Sequence, residues 1–440
     1  MSHLHKIWKM FILCILCGRL LAQTTLDFTH EDMVLVHLFQ EEIDKSLLFL
    51  KNRQRANGSY IYDYVPFANR QITTGVLVRQ AGIMLGLAMA YDGKDESIKQ
   101  GLIKTMSYFR SLSTTYTLRD TNLRILADSH EAYTGTICLY LAGALWLEWK
   151  HPGQFAIRDQ FHLDLLNTLN FYFNFRNGLP DLINTKETYV EKINRDAEVY
   201  ATAQYFLVQT LYHLTFQRPH PHPALDELVS LYERDLTPFE VIHIYHWMTL
   251  IYYLQVEWGN PTMKRRILDM RDRHLAQFRA RHHGQVPNAK NNTCSIAEAQ
   301  AYDLLLKQKE GILNRQELYS LTAHLRHLKN FQLTENSQRK TKDKSGKESI
   351  VAITDPKLAS GGFYHYIGEE MHSRVDITRH CLSAFVTHRQ IVDNIFMDTR
   401  TLNAYLRRQE ILEAVAEMNR QELEKPVKMH RVQIKEVQMY

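Results

Sequence analysis

At 440 residues the chain is longer than one compact core normally organises, so it is either two domains or a closed architecture in which many similar elements share a core. Apolar residues make up 45% and charged ones 23%, which excludes a disordered chain, and 18 glycines with 11 prolines are too few for a turn-dense β fold. The net charge of +5 is spread along the chain apart from one lysine-rich stretch, which excludes a dedicated nucleic-acid surface and leaves acidic substrates open.

Residues 1–22 carry the pattern of a secretory signal peptide: Lys6 and Lys9 supply positive charge, Met10 to Gly18 form a short apolar core, and Ala22 offers a small residue at the cut. The apolar run is too short to span a bilayer. The expected product is therefore exported, periplasmic or secreted, with no stable membrane span after signal removal. Its cysteines are then Cys138, Cys294 and Cys381, which permit at most one bridge.

From residue 31 onward a 3.6-residue periodicity gives helix after helix. The first, over 31–53, has a polar face. The next, over 75–91, carries Val78, Ala81, Leu85 and Ala88 on one stripe and small or apolar residues over much of the opposite side, as a helix with neighbours on both sides would. Amphipathic segments near 95–112, 161–176, 224–235, 262–279 and 314–328 then separate apolar helices that begin near Glu131, Val199, Glu240, Cys294 and Asp376. Six half-exposed helices thus alternate with six apolar ones, at intervals too long and uneven for a compact solenoid repeat. Several outer helices end on a glycine followed by a short extended stretch: NGSYIYDY (57–64), NGLPDLI (177–183), HGQVPN (283–288) and GGFYHY (361–366). One repeated unit explains that shared position, and so does the ordinary use of glycine as a helix cap. The predicted fold is all-α, a ring of six helical hairpins over residues 30–395, with the polar, lysine-rich stretch 334–350 as a flexible insertion. Leu402, Leu406, Ile411 and Val415 among many charges predict an extra helix in a C-terminal helix and tail over 399–440.

The segments GSYIYDYVPFANRQITTGVLVRQAG and GGFYHYIGEEMHSRVDITRHCLSAF resemble the turn-plus-inner-helix units of the α/α toroids, the superfamily of six-hairpin glycosidases, polysaccharide lyases, sugar epimerases and terpenoid cyclases. The resemblance covers most of residues 30–395 as architecture and implies a six-hairpin glycosidase-like (α/α)6 toroid of the carbohydrate-active kind. It does not fix a reaction, because a glycine turn before an apolar helix is shared by members with unrelated activities. The Asp-rich acid motif of squalene-type cyclases is absent from the sequence, and so is the Cys-plus-Cys-His pattern of lanthionine cyclases.

In such a ring the turn from outer to inner helix lies at the inner helix's N-terminal end, so polar residues in the first turns of the inner helices converge on one funnel. Tyr60, Tyr62, Asp63, Tyr64 and Asp181 come from the turns; Arg79, Gln80, His130, Glu131, Arg195, Asp196, Glu198, His243, Glu298, Arg374, Asp376 and His380 come from the helices. Carboxylates, arginines and aromatics together suit a saccharide, whose rings stack on aromatics and whose glycosidic bonds are cleaved by an acid and a second carboxylate. Asp376 and Asp196 are the expected acid/base pair; in RVDITRH, Arg374 precedes Asp376 by two residues and His380 follows one turn later on the same face. Helix capping is the plainer role open to both aspartates. Tyr62, Arg79, Glu131, Glu198, Glu298, Arg374 and His380 are the expected substrate-binding residues. Arg79, inside the apolar run VLVRQAGIML, must pair with an acid or face a polar cavity.

Glu240, His243 and His246 share neighbouring helical positions, but histidines in VIHIYHWMTLIYY suit a satisfied core better than a zinc site of three or four close ligands, so no metal and no cofactor is expected. The sequence holds no phosphate loop, GxSxG elbow or HExxH segment. The reading is an exported glycoside hydrolase, lyase or epimerase acting through carboxylates on a saccharide or other polar substrate. The alternative is a non-catalytic secreted helical protein that holds a partner on the ring rim or the lysine-rich loop.

Overall fold

A computed structural model describes residues 39–72, 77–127, 131–184, 195–216, 224–255, 261–282, 293–342, 348–368 and 370–398, without the side chains of residues 184, 195–198, 224, 225, 255, 342 and 396–398. The signal-like segment 1–22 and the helix expected within 399–440 lie outside the described residues. The chain divides into two units, Leu38–Ile391 and a second made of Met1–His37 with Val392–Tyr440. The first contains six consecutive hairpins.

Their outer helices are α1 (Gln40–Arg53), α3 (Glu96–Ser111), α5 (Gln160–Tyr172), α7 (Ala224–Tyr232), α9 (Pro261–His282) and α11 (Arg315–Lys329). Their inner helices are α2 (Leu77–Ala90), α4 (Thr134–Lys150), α6 (Arg195–Phe216), α8 (Pro238–Gln255), α10 (Cys294–Lys309) and α13 (Val375–Asp398), with a single turn, α12 (Pro356–Ala359), before the last. Side-chain caps start several of them. Asp95, Asp159 and Asn314 accept from the backbone N–H groups of Ile98, His162 and Glu317, donors that the first helical turn leaves without a partner. Helix α8 opens with a reciprocal box in which the Thr237 N–H donates to Glu240 Oε2 at 2.7 Å and the Glu240 N–H donates to Thr237 Oγ1 at 3.3 Å.

The burial patterns explain the two helix types. Helix α3 buries one stripe, Leu102, Thr105, Met106 and Phe109, whereas α4 is buried on all sides from Thr134 to Glu148. Each inner helix packs on the next through α2, α4, α6, α8 and α10. The Cys294–Cys381 disulfide then ties α10 to α13. Helix α13 returns to α2, where the stem of Arg379 lies across Gly86 so closely that a Cβ there would fall 2.2 Å from Arg379 Cγ. The inner ring is closed.

The outer ring closes by a repeated contact. Gly58, after α1, has φ +90° and faces the Lys104 carbonyl of α3, while Gly361, after α11, has φ +88° and faces the Lys45 carbonyl of α1; a Cβ at either would meet that oxygen at 2.1 Å. The sixth hairpin therefore meets the first as the first meets the second, and both places need glycine for its left-handed backbone and its missing side chain.

Short strands join the turns. β1 (Asp63–Val65) and β2 (Arg70–Ile72) come from the first hairpin, β9 (Tyr364–Ile367) and β10 (Glu370–Arg374) from the sixth, and they form one antiparallel sheet in the order β2-β1-β10-β9. Asp63 lies opposite Arg374 and Tyr64 opposite Ser373. Tyr64, Leu333, Ile353, Ala359 and Met371 form an apolar cluster that anchors this sheet. A ribbon of β3 (Ser113–Leu118) with β4 (Thr121–Leu126) precedes β5 (Glu131–Tyr133), which pairs with β6 (Leu182–Asn184) and so links the second and third turns. The lysine-rich stretch is more regular than its composition suggests: β7 (Gln338–Lys342) pairs with β8 (Glu348–Ala352) as a polar hairpin.

Candidate functional site

A cavity of about 460 Å³ opens where α2, α4, α6, α8 and α13 begin. Arg79, Tyr133, Asp181, Phe239, His243, Trp247, Arg374, Asp376, Arg379 and His380 are among its lining residues. The convergence expected of inner-helix N-termini is thus present, built from five of the six inner helices or the turns before them. Backbone bonding sets the positions: the Thr134 N–H at the start of α4 donates to the Asp181 carbonyl at 2.8 Å, and the Val375 N–H at the start of α13 donates to the Tyr62 carbonyl at 3.1 Å.

The first cluster is centred on Asp376. Arg374 forks onto it, with Nε donating to Oδ1 at 3.0 Å and Nη2 donating to Oδ2. Tyr62 Oη donates to Oδ2 at 3.2 Å and in turn accepts from Arg79 Nη1 at 2.5 Å; Arg79 also lies 3.4 Å from Asp376. The guanidinium of Arg374 stands 5.1 Å from the Tyr62 ring centre. Burial and the Asp376 charge push the Tyr62 phenol well above its ordinary range, and although burial works against the charge on Arg374, Asp376 raises that guanidinium overall. Asp376 lies in the first turn of α13 and its oxygens turn to guanidinium and phenol donors, which makes it an anchor for the cavity wall in place of the helix cap its position suggests.

The second cluster is buried deeper. Glu298, 1% exposed, accepts from Arg379 Nη1 at 3.0 Å and Tyr302 Oη at 3.0 Å through Oε1, and meets His380 Nδ1 at 2.5 Å through Oε2. Burial alone would raise its carboxyl, but Arg379 and His380 hold it down to about 2. An ionised carboxylate only accepts and a guanidinium only donates, so Nδ1 of His380 carries the hydrogen and Nε2, 3.1 Å from Arg379 Nη2, has the lone pair. Burial, aided by Arg379, pushes His380 below the ordinary histidine range, so its ring is neutral near pH 7. His243 follows the same pattern at the mouth: its Nδ1 lies 2.8 Å from the Phe239 carbonyl, which can only accept, so in the neutral ring Nε2 is bare. That ring stacks on Phe239 at 3.8 Å between centres.

His246, Glu298 and His380 each offer a metal-ligand atom within 4.8 Å of the others. Arg379 already places a cation on two of the three, so a metal would have to displace it. Glu240 is taken by its capping box and by Arg234, which reaches both carboxylate oxygens at 2.9 and 2.5 Å.

Of the residues expected from sequence, Arg79, Asp181, His243, Arg374, Asp376 and His380 line the cavity; Tyr62 supports them, and Glu298 lies behind His380. Glu131 is exposed on β5 and does not line it. The side chains of Arg195, Asp196 and Glu198, and His130, lie outside the described residues. Tyr60 bonds with Thr105 and Gln80, Tyr64 with Asn69, and Asp63 with His372 at 3.0 Å, so these serve the turn. Arg379, Trp247, Phe239 and Tyr133 were missed. Arg379 was open to the argument made for Arg79, since a guanidinium in an apolar helix has to be paired.

No protein-family model and no curated protein matches the chain. Solved structures do. A cellobiose 2-epimerase from Spirochaeta thermophila aligns over 84% of this chain and 99% of its own, with a TM-score of 0.54 and 13% identity. The fold is the (α/α)6 toroid. A D-mannose isomerase (TM-score 0.52, 11% identity, 81% of this chain and 97% of that one) and a GH76 alpha-mannanase from Bacteroides thetaiotaomicron (0.50, 10%, 84% and 100%) share it. At these identities the likeness is one of architecture alone.

Proposed function

We propose that the protein is a carbohydrate-processing enzyme that moves a proton on a sugar, as an epimerase or isomerase does, with His243 and His380 as the proton-transfer pair. The observation that carries this is the pair of imidazoles lining one cavity with Nδ1–H engaged in each; Nε2 of His243 takes no bond from the described residues, and Nε2 of His380 accepts from Arg379 Nη2 at 3.1 Å. A neutral imidazole is well matched to removing a proton from the carbon next to an open-chain sugar carbonyl. Nε2 of one histidine takes that proton, and the imidazolium so formed returns it to the neighbouring carbon while the adjoining hydroxyl proton passes to the former carbonyl oxygen; delivery to the opposite face uses the other histidine once it has taken up a proton from water. Tyr133 and Phe239 supply aromatic faces for the sugar body. The epimerase and isomerase among the structures sharing the fold support the reading.

Compared with the carboxylate pair expected from sequence, the proton work moves to histidine, because both oxygens of Asp376 are committed to donors. Hydrolysis is the second reading, favoured by one observation: burial raises the Asp181 carboxyl, which suits a general acid in the cavity that Asp376 also lines. Incubating a panel of reducing sugars and small glycans with enzyme in deuterium oxide separates the two. Proton transfer predicts deuterium on the carbon next to the carbonyl and a new sugar isomer by NMR, both lost in His243→Asn and His380→Asn; chain cleavage without carbon-bound deuterium would sink it in favour of hydrolysis. Export is part of the proposal, supported by the disulfide, which an oxidising compartment preserves.

A further inference from the structure

We propose that the sugar taken by this cavity carries a carboxylate, as uronic acids do, and that Arg79 is the group that receives it. The inference rests on the saccharide reading above and names the substrate class. Among the described residues the cavity wall has three guanidinium groups, Arg79, Arg374 and Arg379. Arg374 is spent on Asp376 and Arg379 on Glu298. Arg79 is left with a poor share: its side chain is 42% exposed, and its bonds run from Nη1 alone, to Tyr62 Oη and to a carboxylate that Arg374 already occupies. Its Nε and Nη2 donors make no bond to the described residues and form a fork, the geometry that fits the two oxygens of a carboxylate.

The remaining carboxyl on the wall, Asp181, makes no bond to Arg79, whose bonds to the described residues go to Tyr62 and Asp376. The inner helices direct their N-terminal ends at the same space, which adds to its positive potential. A neutral sugar hydroxyl would take one of the Arg79 donors, whereas a carboxylate takes both Nε and Nη2 and meets the guanidinium charge as well.

The test is isothermal titration calorimetry of the full chain with glucuronate and galacturonate against glucose and galactose, with galactose 6-sulfate as a third arm. The uronates should bind about tenfold or more tighter than the matching neutral sugars, the worth of one charge-assisted bond pair. Arg79→Gln should bring that ratio close to one, and Arg79→Lys should keep part of it. Because the Arg79 side chain is 42% exposed, both variants should fold, which circular dichroism checks. Neutral sugars binding as tightly as uronates, a preference for the sulfate ester over the uronates, or a ratio untouched by Arg79→Gln would overturn the inference while leaving a sugar site standing. Absence of binding by every sugar would overturn both.

Discussion

Replacing Glu298 with Gln puts the buried Arg379–Glu298–His380 group under the most direct strain. The native carboxylate accepts from Arg379, Tyr302 and His380, whereas a glutamine side chain has one accepting oxygen. If that oxygen serves Arg379 and Tyr302, the amide N–H₂ faces Nδ1–H of His380. The ring must then move its hydrogen to Nε2, where Arg379 Nη2 donates, so one donor faces another in either arrangement. Arg379, with its side chain 3% exposed, also loses its charge partner. Stranding a buried charge costs about 3–5 kcal/mol. The pH dependence gives a second measure: a carboxyl held at about 2 against an ordinary 4.5 contributes about 3 kcal/mol. Because the folded-state value is the lower one, that contribution is present above about pH 4.5 and is lost as pH falls toward 2. Urea unfolding from pH 7 to pH 3 should show the wild type well above Glu298→Gln at neutrality, with the two curves converging in acid. Nitrogen-15 spectra should show the His380 hydrogen moving from Nδ1 to Nε2. Equal stabilities at pH 7, with parallel pH profiles, would refute the reasoning.

Gly361→Ala combines a left-handed backbone, worth about 1–2 kcal/mol, with a backbone collision that adds about 1–3 kcal/mol, whereas Gly153→Ala at φ +75° has open space and bears only the first cost. Thermal denaturation should rank them in that order, and equal losses would remove the Lys45 contact from the account. Serine at both Cys294 and Cys381, or reduction of the wild type, releases a bridge spanning 87 residues and should lower stability by up to about 4 kcal/mol; identical melting curves with and without reductant would disprove the bond.

The ring was legible because its physics is periodic. Helices buried all round, such as α4, read as apolar on every face, and helices such as α3 read as striped, so counting the alternation found the hairpins. Gly58 and Gly361 were legible as turns, but not as seams, because the carbonyls they face belong to other hairpins. The site was half legible. Placing Arg374, Asp376 and His380 in one helical start pointed to the cavity, yet the division of labour among them depends on Tyr62, Arg79, Glu298 and Arg379, which approach from elsewhere in the chain. Glu131 shows the converse: it sits at the right place in the chain, yet it is exposed on β5 and is not among the residues lining the cavity. The polar hairpin after α11 had no apolar alternation to betray it, since Thr, Ser and Lys pair there through the backbone.

The sheet that joins the first turn to the last has a kinetic consequence. Tyr62 and Asp376 are 314 residues apart, so during synthesis β1 waits with an unpaired edge until nearly the whole ring has been made. Contacts so distant in sequence slow folding, and the loop-closing entropy must be met before they return anything. A ribosome stalled before residue 370 would release a chain of stacked helices without a floor to its cavity, exposing β1 to strands of other molecules. The ring and its cavity should therefore be completed together, at the moment the sixth hairpin docks.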